Sequence, residues 1–85
     1  MLFRSILEPA SGTVVAVGEV VVHFALPSST TSYEVFLDRQ SMGGGDGRAA
    51  SFTVRLASGS HELIVRANDA MGLSVESEPV QVNAS

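Results

Sequence analysis

Apolar side chains at every second position are the feature that most constrains the fold of this 85-residue chain. Phe52, Val54 and Leu56 alternate with Thr53 and Arg55. The same period recurs in residues 20–26, 33–38, 63–67 and 80–83. In a β-strand this period turns one set of side chains toward a core and the other toward water. The sequence therefore predicts an all-β protein without a helix.

Residues suited to turns separate the alternating segments, which predicts an antiparallel β-sandwich of about seven strands. The predicted strands are 3–8, 13–17, 19–26, 32–38, 50–57, 61–68 and 73–82. The glycine-rich stretch 42–47 is predicted to be a flexible loop. Pro79 cannot donate a ladder hydrogen bond, so a bulge or an edge position is expected there. Residues 83–85 are expected to form a linker or a frayed end.

Composition excludes several classes of function. With no cysteine, the chain can form neither a disulfide nor a thiolate zinc site. Nine acidic residues against five scattered arginines give a net charge of −4, which disfavours nucleic acids and anionic membranes as partners. No apolar run reaches the roughly 20 residues of a membrane-spanning helix. Residues 1–7 lack the apolar stretch of a signal peptide.

Several motifs, in order along almost the whole chain, resemble those of bacterial immunoglobulin-like domains. The family commonly begins I-x-x-P-x-x-G, continues with V-x-F-Y-V-D-G and G-x-H-x-L-x-x-x-A-x-D, and closes with A-G…S-x-P-V-x-V. The matching segments are residues 6–12, 33–38, 59–69 and 71–82. Arg39 departs from the pattern, since the family usually has glycine there, and so does the abundance of glycine in 40–49.

The resemblance implies one immunoglobulin-like domain over residues 1–85, in a module of a larger bacterial protein. Such modules stand beside glycan-active enzymes or form stalks of surface proteins, so an extracytoplasmic location is expected. A free-standing protein of this length would instead be cytoplasmic. The family has no shared catalytic residues, and no cofactor is expected.

Candidate sites have simpler structural interpretations. His61 alternates in step with the inward residues Leu63 and Val65. Its ring is therefore expected to pack at a strand corner and to form a hydrogen bond with the backbone. His23 is expected to face solvent. A calcium site from Asp38, Asp46 and Asp69 lacks a D-x-D-x-D spacing, and Asp69 is expected to accept backbone N–H groups in its own turn.

Catalytic carboxylates and a phosphate loop are equally weakly supported. Glu34, Glu62 and Glu76 have outward parity and are interpreted as solubilising charges. The glycines of 43–47 precede a strand rather than the helix that a phosphate-binding loop needs.

One outward patch is a candidate interaction face. In an immunoglobulin-like sandwich, segments 32–38 and 61–68 are antiparallel neighbours. If Val35 lies opposite Val65, then Phe36 lies opposite Ile64 on the outer face, and Glu34 lies opposite Arg66. An apolar pair beside a charge pair is typical of a docking surface, although isolated exposed apolar residues are also common.

The predicted function is that of a non-catalytic spacer, docking or weak binding module. Its partners would be neighbouring domains, another protein or a glycan. The alternative is a free-standing protein that forms a homodimer through the Phe36–Ile64 face. An enzyme is the least favoured interpretation.

Overall fold

The computed structural model describes residues 2–3 and 6–85, and these form ten strands. In chain order they are β1 (Leu2–Phe3), β2 (Ile6–Glu8), β3 (Thr13–Val15), β4 (Gly18–Phe24), β5 (Thr30–Leu37), β6 (Gln40–Asp46), β7 (Ser51–Leu56), β8 (Gly59–Asp69), β9 (Ser74–Ser77) and β10 (Val80–Ala84). None of the described residues is helical. The all-β prediction is confirmed.

The strands form two sheets. The smaller sheet has the order β2-β4-β7 and is antiparallel. In the larger sheet β8 is central, with β5 and then β6 on one side and both β9 and β10 on the other. Two short parallel pairings, β1 with β9 and β3 with β10, complete this sheet. The structure is therefore antiparallel apart from two short segments near the chain termini.

The core consists of the inward side chains that the alternating pattern predicts. Val22, Val35, Leu63 and Val65 are completely buried. Around them the Tyr33 ring contacts Phe24 at 5.1 Å and Phe52 at 6.3 Å between ring centroids. Burial of side chains of this size contributes roughly 1.5–3 kcal/mol each, which must stabilise a small domain without disulfides.

The predicted loop at 42–47 is wrong, because most of it belongs to strand β6. The residues of β6 are all exposed, and they pair with β5 around a bulge between Val35 and Phe36. A Cβ on Gly44 would overlap the carbonyl oxygen of Tyr33. The absence of side chains therefore lets β6 lie against β5, and glycine here serves close approach rather than flexibility.

The predicted strand 73–82 is two strands, interrupted at Glu78 and Pro79. β9 and β10 pair with successive parts of the same edge of β8. At the interruption the hydroxyl of Ser77, which is 1 % exposed, accepts a hydrogen bond of 2.9 Å from the Val65 N–H. A side chain thus replaces a backbone acceptor where proline ends the ladder.

Both chain ends differ from their predictions. The expected frayed end is wrong, since β10 continues to Ala84, which is 1 % exposed and pairs with Val15 and Gly59. The predicted strand 3–8 corresponds to β1 and β2, and its residues 4 and 5 lie outside the described part of the chain. The remaining strand boundaries shift by one or two residues.

Candidate functional site

The register of β5 and β8 brings together the residues of the candidate interaction face as predicted. Val35 pairs with Val65, Phe36 with Ile64, and Glu34 with Arg66. Phe36 and Ile64 are both half-buried on the outer face of the larger sheet. The alternation of side chains along the two strands was sufficient to predict these pairs. Directly opposed residues of an antiparallel pair point to the same face of the sheet.

These two side chains lie in a shallow groove of about 370 Å³, called here the Phe36 groove. The groove is lined by Phe36, Arg39, Glu62, Ile64, Arg66, Glu76 and Pro79. Its floor is apolar, and its sides combine two arginines with two glutamates. The groove thus pairs a hydrophobic contact area with charges of both signs.

Arg66 contacts both an aromatic ring and a carboxylate of the groove. Its guanidinium lies 4.9 Å from the centre of the Phe36 ring, in cation–π geometry. Its Nε and Nη2 donate to Oε2 of Glu76 over 3.1 and 2.7 Å. The arginine therefore covers part of the ring and is held there by the neighbouring strand.

Glu34 lies opposite Arg66 as predicted, but the two side chains bond other partners. Glu34 instead accepts a hydrogen bond of 2.6 Å from the Ser41 hydroxyl on β6. Arg66 has a second cross-strand neighbour, Glu76, on its other side. The strand register alone could not predict which glutamate bonds Arg66, because Arg66 lies on a central strand with a neighbouring strand on each side.

The β5–β6 turn forms one end of the groove. Asp38 and Arg39 have φ angles of 52° and 68°, the left-handed conformation of both central residues in a type I′ hairpin. Glycine is the usual residue for such angles, and Arg39 takes them without being glycine. Its side chain is 87 % exposed and lies 3.7 Å from Glu62, a distance at which the ion pair contributes little.

His61 and Asp38 hold this strained turn. The Asp38 carboxylate accepts hydrogen bonds from Nδ1 of His61 at 2.7 Å and from the Glu62 N–H at 2.9 Å. The second ring nitrogen of His61 lies 2.7 Å from the carbonyl oxygen of Ala57. The histidine therefore links the β5–β6 turn to the β7–β8 turn, and its predicted bond to the backbone is confirmed.

The same contacts change both pKa values. The hydrogen bond to Asp38, aided by the Ala57 carbonyl, raises the pKa of His61 despite some desolvation. Partial desolvation acts to raise the pKa of Asp38, but the hydrogen bonds from His61 and the Glu62 N–H outweigh it and lower that pKa. Both shifts favour the charged pair, in which each ring nitrogen donates.

The remaining candidates have local roles. Asp69 accepts the N–H groups of Met71 and Leu73 at 2.9 and 3.0 Å, as predicted for its turn. Asp46 accepts the N–H of Arg48 in the same way. His23 is exposed, as predicted. Across residues 2–3 and 6–85, no three His, Asp or Glu side chains form a set that could hold a metal ion.

The sequence did not place Arg39, Glu62, Glu76 and Pro79 around the Phe36 groove. The alternating pattern of the strands correctly predicted that Glu62 and Glu76 lie on the outer face of the sheet. Their grouping depends on β9 and β10 sharing one edge of β8, which residue parity does not reveal. The motif S-x-P at 77–79 was the available signal, since a proline that stops a ladder implies a change of strand there.

Comparison with known structures agrees with this geometry. The structure resembles the fibronectin(III)-like modules of CbhA from Clostridium thermocellum, with a TM-score of 0.86 over 94 % of this chain and 92 % of that chain, at 17 % identity. The chain therefore has the predicted immunoglobulin-like sandwich fold. No protein-family model matches the sequence, and no curated protein is significantly similar to it.

A bilayer-crossing helix is not found in the part of the chain that the structure describes.

Proposed function

We propose that this chain is a non-catalytic module that docks through the Phe36 groove onto the surface of another protein or a neighbouring domain. The observation that carries the proposal is the half-buried Phe36–Ile64 pair at the floor of a groove with two arginines and two glutamates at its sides. An apolar centre within a polar rim is the usual anatomy of a protein interface.

The charges favour a protein over a polyanion. Glu62 and Glu76 lie beside Arg39 and Arg66 in the same groove. A nucleic acid or an anionic glycan would meet two carboxylates together with the two guanidinium groups, whereas a protein surface can offer both signs of charge.

The contacts of Phe36 also favour a protein over a neutral glycan. Sugar binding at such a site would depend on an open aromatic face, and Arg66 covers part of this ring from 4.9 Å. Arg66 is in turn bonded to Glu76 at 2.7 Å, so displacing it from the ring would break an ion pair.

The histidine gives no support to catalysis. Both ring nitrogens of His61 are engaged, one by Asp38 and one by the Ala57 carbonyl, and the side chain is only 13 % exposed. A general base needs a free nitrogen within reach of a substrate.

The proposal is tested by selecting ligands from a displayed random-peptide library on the wild-type chain. Binding of each selected peptide is then measured to Phe36→Asp and to Val21→Asp. Val21 is the matched control, since it is an apolar residue, 46 % exposed, on the outer face of the other sheet. Groove ligands should lose at least about tenfold in affinity with Phe36→Asp, as central interface residues do, and keep their affinity with Val21→Asp.

A parallel NMR titration with neutral oligosaccharides tests whether the groove binds glycans. Binding is detected as changes in the backbone amide chemical shifts. We expect no shifts at Phe36 or Ile64 at millimolar sugar. Saturable chemical-shift changes at these residues would show that the groove binds a glycan and would contradict protein docking. Peptides that bind Phe36→Asp as tightly as the wild type would show that the groove is not the docking surface.

A further inference from the structure

We infer that β6 is a self-association edge, through which two copies of this chain join by antiparallel pairing of β6 with its symmetry mate. This surface is separate from the Phe36–Ile64 face, and it rests on three observations about one strand.

The first observation is the open edge itself. β6 pairs with β5 on one side, and no strand within residues 2–3 and 6–85 pairs with its other side. All seven of its residues are exposed. An unpaired edge presents backbone N–H and C=O groups that can add another strand.

The second observation is the lack of most devices that protect natural edges. Such edges carry lysine, proline or inward-pointing charges, or are covered by other elements. β6 contains no lysine, arginine or proline, and its centre is Gly43, Gly44 and Gly45. The one such device is a bulge on β6 itself, where Met42 has no partner on β5 between Val35 and Phe36. Without side chains at its centre, the strand leaves its backbone accessible to a second strand.

The third observation identifies the occupant, because the charges at the two ends of β6 are self-complementary. Asp46 pairs with Ser32, which has the same parity as Phe36, so Asp46 belongs to the outer face of the sheet. Arg39 precedes the other end of β6 and lines the Phe36 groove on that same face. A two-fold axis through the centre of β6 places Arg39 of each copy beside Asp46 of the other.

The centre of the strand fits this arrangement. Met42 is 41 % exposed and would lie opposite the glycines of the second copy, which offer room for its side chain. Arg39 is available for a new partner, since it is 87 % exposed and its contact with Glu62 is long, at 3.7 Å. An unrelated peptide would match the backbone equally well but would need its own charge pattern to match the two ends.

The association is expected to be weak, with a dissociation constant on the order of hundreds of micromolar, because one strand pair buries far less than the ~1,200 Å² of stable interfaces. Sedimentation equilibrium from roughly 20 µM to 1 mM, at about 0.15 M salt, measures it while screening the long-range repulsion of two chains of like charge.

Charge reversal provides the decisive test. Arg39→Asp places like charges at both ends of the two-fold pair, and so does Asp46→Arg. Each variant alone should associate at least about tenfold more weakly than the wild type. An equimolar mixture of the two should recover wild-type affinity, because both contacts are then attractive in the heterodimer. Thermal unfolding followed by circular dichroism verifies that each variant is folded.

Two further measurements distinguish this edge from the groove. Phe36→Asp should leave the dimer unchanged, and backbone amides of β6 should gain protection from hydrogen exchange as the concentration rises. A wild-type chain that stays monomeric at 1 mM overturns the inference. So does a mixture that remains as weak as the single variants, or a dimer that Phe36→Asp abolishes.

Discussion

At the scale of single residues, His61 connects the β5–β6 turn of the larger sheet to the β7–β8 turn between the two sheets. It holds Asp38, which has a positive φ, through a contact of 2.7 Å, and it reaches the Ala57 carbonyl with its other nitrogen. These hydrogen bonds, one of which joins two charged groups, offset part of the cost of two left-handed residues, roughly 1–2 kcal/mol each.

The raised pKa of His61 predicts a pH dependence of stability. Its contribution is complete below the ordinary histidine value of 6.5 and is lost as the pH rises through the higher pKa of the folded state. The lowered pKa of Asp38 gives a contribution that is present above its ordinary value of 3.8 and is lost as the pH falls through the folded pKa. The pair therefore stabilises the fold most between these two values.

We expect the melting temperature to be lower at pH 9 than at pH 6, because deprotonation of His61 removes its charged hydrogen bond to Asp38. His61→Gln should flatten this dependence, and His23→Gln, at an exposed position, should preserve it. An unchanged slope in His61→Gln would contradict the role of the pair. Calorimetry across this pH range provides the measurement.

Ser77 provides a second test at the scale of one atom. Ser77→Ala removes the acceptor of the buried Val65 N–H and should destabilise the fold by about 1–3 kcal/mol. Ser74→Ala, at an exposed position of the same strand, should change stability by less than about 0.5 kcal/mol. Urea unfolding of the two variants measures both values, and equal stabilities would argue against the hydroxyl as a replacement for the ladder.

Among the strands, β6 departs most from ordinary strand composition. Its stability comes from backbone pairing with β5 and from the aromatic rings beneath it, since a Cβ on Gly43 would lie 3.3 Å from Phe52 and one on Gly45 would lie 3.2 Å from Tyr33. A strand with so few side chains depends on close approach of its backbone to its neighbours.

Close approach predicts different costs for neighbouring glycines. Gly44→Ala should destabilise the protein by about 2–3 kcal/mol, because its Cβ would overlap the Tyr33 carbonyl and the backbone must shift. Gly45→Ala should cost less, about 1 kcal/mol, because its Cβ would meet an aromatic ring atom that can move slightly. Chemical denaturation of both variants gives the comparison, and a cheaper Gly44→Ala would contradict the packing of β6 against β5.

At the scale of the molecule, β10 joins the two ends of the chain. It pairs with β8 in the antiparallel sense and with β3 in the parallel sense, and its inward residues Val80, Val82 and Ala84 are all buried. The C-terminal strand therefore contributes to the core although it follows the last proline of the chain.

A charge at the end of β10 tests this contribution. Ala84→Asp would bury a carboxylate at a site that is 1 % exposed and should destabilise the fold by at least about 2 kcal/mol. Asn83→Asp makes the same change in charge at the adjacent exposed position and should be nearly neutral. Melting curves of the two variants decide the matter, and similar curves would show that β10 frays as its sequence suggested.

The sequence alone determined the strands whose side chains alternate, the composition of the core and the opposition of Phe36 to Ile64. Parity encodes these features locally, since each residue of a strand faces one of two sides. Glycine has no side chain to alternate, so β6 was interpreted as a loop and only its contacts with β5 identify it as a strand. The tertiary structure also decided that Arg66 bonds Glu76 rather than Glu34, because both glutamates lie beside it and the choice depends on the path of β9 after the β8–β9 turn.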